Sequence, residues 1–161
     1  MANITTNNFG AGGSFTLTSH VKVSDAPTLD GIKLTGETIL GHLHEKNQLH
    51  GSPANDHIVG GGLHDIINGE RGDDVLTGGG GNDTFVFNHD SGNDVITDFS
   101  AGDKIDIRYY LRHGADVTVS DTSEGAVIDL GAHNSITLLG VPASDLTQTA
   151  TGFAHAQLLV S

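Results

Sequence analysis

Aspartate recurs at a nine-residue interval in the middle of this chain, at Asp56, Asp65, Asp74 and Asp83. The units around it follow one another without gaps: GSPANDHIV (51–59), GGGLHDIIN (60–68), GERGDDVLT (69–77) and GGGGNDTFV (78–86). Position one is Gly in all four, position six is Asp, and position eight is apolar: Ile58, Ile67, Leu76 and Phe85. Carboxylates at a fixed interval beside glycine turns can converge with backbone carbonyls. The donor set is then all oxygen, which suits a hard cation such as calcium and does not suit zinc or copper. A column of such carboxylates repels itself unless a cation sits between them.

The composition carries the same signal. Of 23 glycines in 161 residues, ten fall between Gly51 and Gly81. Glycine is entropically costly to order, so this density implies special backbone geometry. Net charge is −13, and the acids are 16 Asp against 4 Glu, with ten of the Asp between Asp56 and Asp106. Short carboxylates crowded near turns favour cations as partners, and the charge argues against nucleic acid and anionic membranes. There is no Cys, so disulfides and thiolate metal sites are excluded. No apolar run is long enough to span a bilayer. No Lys or Arg precedes Lys22 and no apolar h-region is present, so a Sec-type signal peptide is not expected in this sequence, and export would use another route or a segment outside it.

A nine-residue unit is too short for a βαβ element. It fits a six-residue turn and a three-residue strand, in which only the middle residue points inward. Two units then make one coil, and alternate units stack into two parallel sheets around a thin core. Read backwards, the register places Leu49 and then Leu40 at the apolar position, with Asn47 and Thr38 where Asp would stand. Read forwards, it slips by two to Asp94. Three segments are expected: cap strands over 1–32, the repeat body over 33–100, and an antiparallel cap over 101–161. The last contains period-two stretches at Lys104–Ile107, Val117–Ser120, Ala126–Leu130 and Ser135–Leu139, punctuated by Gly114, Gly125, Gly131 and Gly140.

GERGDDVLT and GGGGNDTFV resemble the RTX nonapeptide GGxGxDxUx. The following FVFNHDSGNDVITDFSAGDKIDI resembles the stretch that ends the β-roll of serralysin-type proteases and other type I-secreted proteins. Mannuronan epimerase R-modules share that architecture, and the resemblance is strong over residues 41–107. It implies an all-β, right-handed parallel β-roll with several calcium ions in its turns, capped C-terminally by antiparallel hairpins. It also implies that each ion lies between turns two repeats apart. Asp56 would pair with Asp74, helped by the carbonyls of Ser52, Ala54, Gly69 and Arg71. Asp65 would pair with Asp83, helped by Gly61, Leu63, Gly78 and Gly80. Asp74 with Asp94, and Asp83 with Asp103, could make further sites across the slip, and Asn47 with Asp65 a weaker one.

Ala54 and Leu63 stand where the motif has its position-four Gly, and Ser52 and Glu70 where it has its second. If position four needs positive φ, Ala54 and Leu63 are strained, and the first turns are expected to bind more weakly than the last two.

The functional expectation is a secreted, monomeric, calcium-binding module that folds outside the cell and supports folding and type I export. The alternative is a non-catalytic module for an anionic polysaccharide or a cell surface. No enzyme activity is expected, because no nucleophile, base and oxyanion donors can be assembled. His44-Glu45-Lys46-Asn47-Gln48 misses HExxH by its last residue and lies in strand-like context. His42 and His44 read better as exposed strand residues than as zinc ligands. The terminal Phe153–Ser161 resembles an uncleaved type I secretion signal and equally suits a final cap strand.

Overall fold

The protein is described from a computed structural model, for residues 21–23 and 36–156. Short strands follow the repeat: β1 (Val21–Val23), β2 (Thr38–Leu40), β3 (Gln48–His50), β4 (His57–Gly61), β5 (Ile66–Asn68), β6 (Val75–Gly79), β7 (Thr84–Val86), β8 (Asn93–Ile96) and β9 (Lys104–Asp106). A one-turn helix, α1 (Arg108–Arg112), then leads to β10 (Thr118–Asp121), β11 (Gly125–Gly131), β12 (Asn134–Leu139), β13 (Leu146–Gln148) and β14 (Gly152–His155).

The strands sort alternately into two sheets. One runs β1-β2-β4-β6-β8-β12-β11-β10 and the other β13-β14-β9-β7-β5-β3. The pairs from β2 to β8, and from β3 to β9, are parallel. The result is the all-β, two-sheet parallel solenoid expected from the repeat, with about four coils. One apolar residue per strand points inward, and Ile39, Ile58, Ile67, Leu76, Phe85 and Ile96 are fully buried between the sheets.

The register departs from strict periodicity in two places. Ile58 pairs with Leu76, and Ile67 with Phe85, at the expected one-coil interval. On the N-terminal side, however, Ile39 pairs with Ile58 and is fully buried, while Leu40 is 41% exposed. The expected inward residue Leu40 is therefore corrected to Ile39, because the turn between β2 and β3 holds one extra residue. On the C-terminal side Leu76 pairs with Ile96, and Phe85 with Ile105. The two-residue slip is taken up once, in the turn between β7 and β8, and both sheets then continue in phase.

The body also runs further than position 100. Lys104–Asp106, expected in the antiparallel cap, pairs parallel with β7 as a strand of the roll and antiparallel with β14 on its other edge. Beyond it the antiparallel character holds, in the pairs β10–β11, β11–β12 and β13–β14. β12 joins the first sheet parallel to β8. At this end the core widens, with Phe87, Phe99, Tyr110, Ile128, Ile136, Leu138 and Phe153 buried. Of the expected N-terminal cap strands, β1 pairs antiparallel with β2. The rest of 1–32, and 157–161 of the expected secretion signal, lie outside the described residues.

Candidate metal centre

The turns that precede the short strands bring the position-six aspartates into two columns. In one, the backbone N–H of Asp56 donates to Asp74 Oδ1 at 2.8 Å, and that of Asp74 to Asp94 Oδ1 at 3.0 Å. In the other, Asn47 N–H donates to Asp65 Oδ1 at 2.7 Å, Asp65 N–H to Asp83 Oδ1 at 2.8 Å, and Asp83 N–H to Asp103 Oδ1 at 2.8 Å. Each side chain thus reaches back one coil and holds the preceding turn. Asp94 and Asp103 make the same contact as the others, so the slip leaves the columns unbroken.

The second oxygen of each carboxylate divides the six residues into two groups. Oδ2 of Asp65, Asp74, Asp83 and Asp94 is buried and has no hydrogen-bond partner. In Asp56 and Asp103, the first and last of the six in sequence, this oxygen is occupied. Ser52 N–H donates to Asp56 Oδ2, while the Ser52 hydroxyl and Glu37 N–H reach Asp56 Oδ1. Ser100 closes Asp103 in the same way, with N–H at 2.8 Å and hydroxyl at 3.1 Å from Oδ2. A buried carboxylate oxygen without a donor is costly, and here it recurs in successive coils.

Burial places these groups in an unusual charge state. Desolvation, first, pushes Asp94 up to about 9, with the Asp74 charge adding to it. Burial likewise raises Asp74 to about 8, opposed by the Asp56 N–H and reinforced by the charges of Asp56, Asp73 and Glu70. Asp83 rises to about 6, again mainly by burial. The fold gathers carboxylates where they cannot all ionise unaided.

The glycines are required by this packing. A Cβ on Gly69 would collide with Asp74 Oδ2, and one on Gly78 with Asp83 Oδ2, so position one must be bare beside the carboxylate of its own repeat. At position four, Gly72 (φ 115°) and Gly81 (φ 122°) adopt left-handed backbone against the carbonyls of Ala54 and Leu63 one coil earlier. Ala54 and Leu63 are not themselves in that region. Among the described residues, the non-glycine positions there are Glu70, Asp90, Ala132 and His133. The strain considered for Ala54 and Leu63 is therefore absent, because the first two turns follow a different backbone path; it falls on Glu70, at φ 74°.

Of the carbonyls implied as ligands, that of Gly61 accepts Gly80 N–H at 2.8 Å, and those of Gly69 and Gly78 press on Gly51 and Gly60. Arg71 and Gly80 are exposed. Among the described residues, no three His, Cys, Asp or Glu side chains gather at one point. A cation here would be held by carboxylates from two coils together with backbone carbonyls. That oxygen-only set, with orphaned buried anionic oxygens, fits calcium.

Two features escaped the sequence reading. A second ladder runs the opposite way at position five. Asn55 Oδ1 accepts Asp73 N–H at 3.0 Å, His64 Nδ1 accepts Asn82 N–H at 2.6 Å, and Asp73 Oδ1 accepts Asn93 N–H at 2.8 Å. The signal was present as short side chains able to accept a hydrogen bond at that position. The other is Asp98, whose two oxygens accept Gly78 N–H at 2.9 Å and Gly79 N–H at 2.8 Å. It sits off the nine-residue register and so gave no periodic signal.

Comparison with known proteins gives one family match. Residues 50–85 and 59–96 match the RTX calcium-binding nonapeptide repeat (4 copies). No curated protein matches the chain. Among solved structures, an extracellular lipase from Serratia marcescens is similar at 26% identity and a TM-score of 0.46, covering 63% of this chain. The chain spans 18% of that lipase. A subunit of the Azotobacter vinelandii mannuronan C5-epimerase is similar at 22% identity and a TM-score of 0.34, covering 72% of this chain and 87% of that one.

Proposed function

From the RTX calcium-binding repeats over residues 50–96, we propose that the protein is a calcium-dependent folding module, not itself a catalyst, that works outside the cell. The observation that carries this reading is the row of buried, donorless Oδ2 atoms on Asp65, Asp74, Asp83 and Asp94. Calcium bound between successive coils would supply the positive charge those oxygens lack. The position-six aspartates from Asp56 to Asp103 supply the carboxylates. The carbonyls of Ser52, Ala54, Gly69 and Arg71, and of Gly61, Leu63, Gly78 and Gly80, complete the cages.

Binding and folding are then one event. Without calcium the columns meet uncompensated around a core of one apolar residue per repeat, and the ten glycines of 51–81 are expensive to order. Extracellular calcium modules respond at on the order of 10⁻⁴ to 10⁻³ M. Below that range, as in a cytosol, the chain stays unfolded and can thread a type I exporter; outside it folds and cannot return. The test is far-ultraviolet circular dichroism with limited proteolysis. EDTA at neutral pH is expected to abolish the β signal and protease resistance, calcium to restore both, and magnesium to restore neither. A sharp melting transition that persists in excess EDTA would overturn the switch.

A further inference from the structure

Position six carries aspartate in the repeats of the roll that follow, but asparagine at Asn47, directly before β3. Asparagine has nearly the shape of aspartate and differs in one group: a carboxylate oxygen is replaced by an amide nitrogen with two hydrogens to donate. We propose that the Asn47 amide substitutes for a bound calcium ion, so that the first coil, β2 and β3, is fastened to the second, β4 and β5, without metal. The proposal rests on the calcium reading given above and goes beyond it by marking where ion-dependence begins in the column from Asn47 to Asp103.

The nitrogen sits in a telling place. In the later repeats, Oδ2 of position six lies against the position-one glycine of its own repeat: Asp65 Oδ2 beside Gly60, Asp74 Oδ2 beside Gly69 and Asp83 Oδ2 beside Gly78. These are oxygens without a donor. In the first coil the atom beside Gly41 is Asn47 Nδ2. A donor thus stands where the later repeats have an unanswered anionic oxygen. The amide is held in this orientation, because its Oδ1 accepts His42 N–H at 2.8 Å. Turning it over would set Nδ2 against that N–H and Oδ1 among acceptors.

The same nitrogen joins two coils. Nδ2 donates toward the carbonyls of His42 at 3.0 Å, Glu45 at 3.1 Å and Gly60 at 3.4 Å, and toward Asp65 Oδ1 at 2.8 Å. His42 and Glu45 belong to the turn of Asn47 itself, Gly60 and Asp65 to the next coil. Carbonyls and a carboxylate from two coils are the donor set described above for a cation. Two hydrogens serve four oxygens, so the cage holds more oxygen than a neutral amide requires. Its size is that of a hydrogen-bonded group: calcium holds oxygens at about 2.3–2.6 Å, and these stand at 2.8 to 3.4 Å.

Residue type at position 47 therefore decides what locks this turn. With asparagine, Asp65 Oδ1 is answered twice by the chain, by the side-chain amide and by Asn47 N–H at 2.7 Å. With aspartate, a second anionic oxygen would face the four already there with no hydrogen between them, and only a cation drawn into the cage relieves that repulsion. The other column begins in a related way, at Asp56, which takes donors from Ser52 and Glu37. Both columns thus start on donors supplied by the chain.

The test counts calcium ions on the full chain by native mass spectrometry at saturating calcium, with folding followed by circular dichroism across a calcium titration. Asn47→Asp is expected to bind one ion more than the unsubstituted chain. Asn47→Ala is expected to bind the same number as the unsubstituted chain, with its calcium midpoint for folding raised about two-fold by the lost hydrogen bonds. No added ion on folded Asn47→Asp, or one ion fewer on Asn47→Ala, would overturn the proposal. If Asn47→Asp does not fold at any calcium concentration, the count on Asn47→Ala decides: an unchanged number supports the substitution and a lower one refutes it. An unsubstituted chain that folds without binding calcium sinks the calcium reading and this inference with it. An unsubstituted chain that folds on calcium while Asn47→Asp gains no ion sinks this inference alone.

Discussion

Each aspartate of the two columns divides its work. Oδ1 holds the backbone of the previous coil, and Oδ2 either faces a buried space without a donor or is closed by a serine. The closed ones, Asp56 and Asp103, are the first and last of the six in sequence, one in each column; Asp65, Asp74, Asp83 and Asp94 are open. Asp83 has an open oxygen and can face a neighbour in both directions along its column. Asp83→Ala is therefore expected to weaken calcium binding by about ten-fold or more, the scale of losing a charge-assisted ligand. Asp56→Ala removes a side chain already satisfied by Ser52 and Glu37, and is expected to cost only a few-fold, roughly 1 kcal/mol. Parallel calcium titrations of the two variants decide it, and equal losses would show that the serine closure is irrelevant to the ions.

At the scale of the element, a three-residue strand buries a single side chain and cannot stand alone. It is held by its neighbours in the sheet and by the two side-chain ladders at positions five and six. Such stacks need closed ends. The C-terminal end is closed by β12 on one sheet and β14 on the other, and by the wider core around Phe87, Phe99 and Tyr110. An excised 33–100 segment loses β9, β12 and β14 together and bares Phe85, Ile96 and Phe99. It is expected to show no cooperative, calcium-dependent β transition by circular dichroism, and a two-state calcium-induced transition in that fragment would refute the capping role.

For the whole molecule, the columns make stability depend on pH in opposite directions with and without calcium. Without the ion, Asp74, Asp94 and Asp83 bind protons more tightly folded than unfolded, with values raised from 3.8 to about 8, about 9 and about 6. Between the unfolded and folded values the folded state holds more protons, so stability falls as pH rises through that window. In EDTA the β signal is expected to be stronger at about pH 5 than at about pH 9. With calcium the ligands must be ionised, protons compete with the ion, and the order reverses, so that Tm is higher at about pH 9 than at about pH 5. Thermal melts at both pH values, with and without calcium, check the crossing; the same slope in both conditions would mean that the buried carboxylates are not the calcium ligands.

Much of this was legible in the residues. Gly at position one, Asp at position six and an apolar residue at position eight are local requirements, repeated at a fixed period, and they determined the coil, the two parallel sheets and the oxygen character of the site. A short strand exposes its one inward position in the sequence, which is why Ile58, Ile67, Leu76 and Phe85 were identifiable as core. Turn lengths were not legible in the same way. An added residue in a surface turn costs little, so nothing local announced that Ile39 rather than Leu40 faces inward, or that Lys104–Asp106 continues the roll. Only the tertiary structure decided which carboxylate oxygens are answered from another coil, because the N–H of Glu37 and those of Asp56, Asp65, Asp74 and Asp83 meet them through stacking; the Ser52 and Ser100 donors, four and three residues from Asp56 and Asp103, close theirs within the turn.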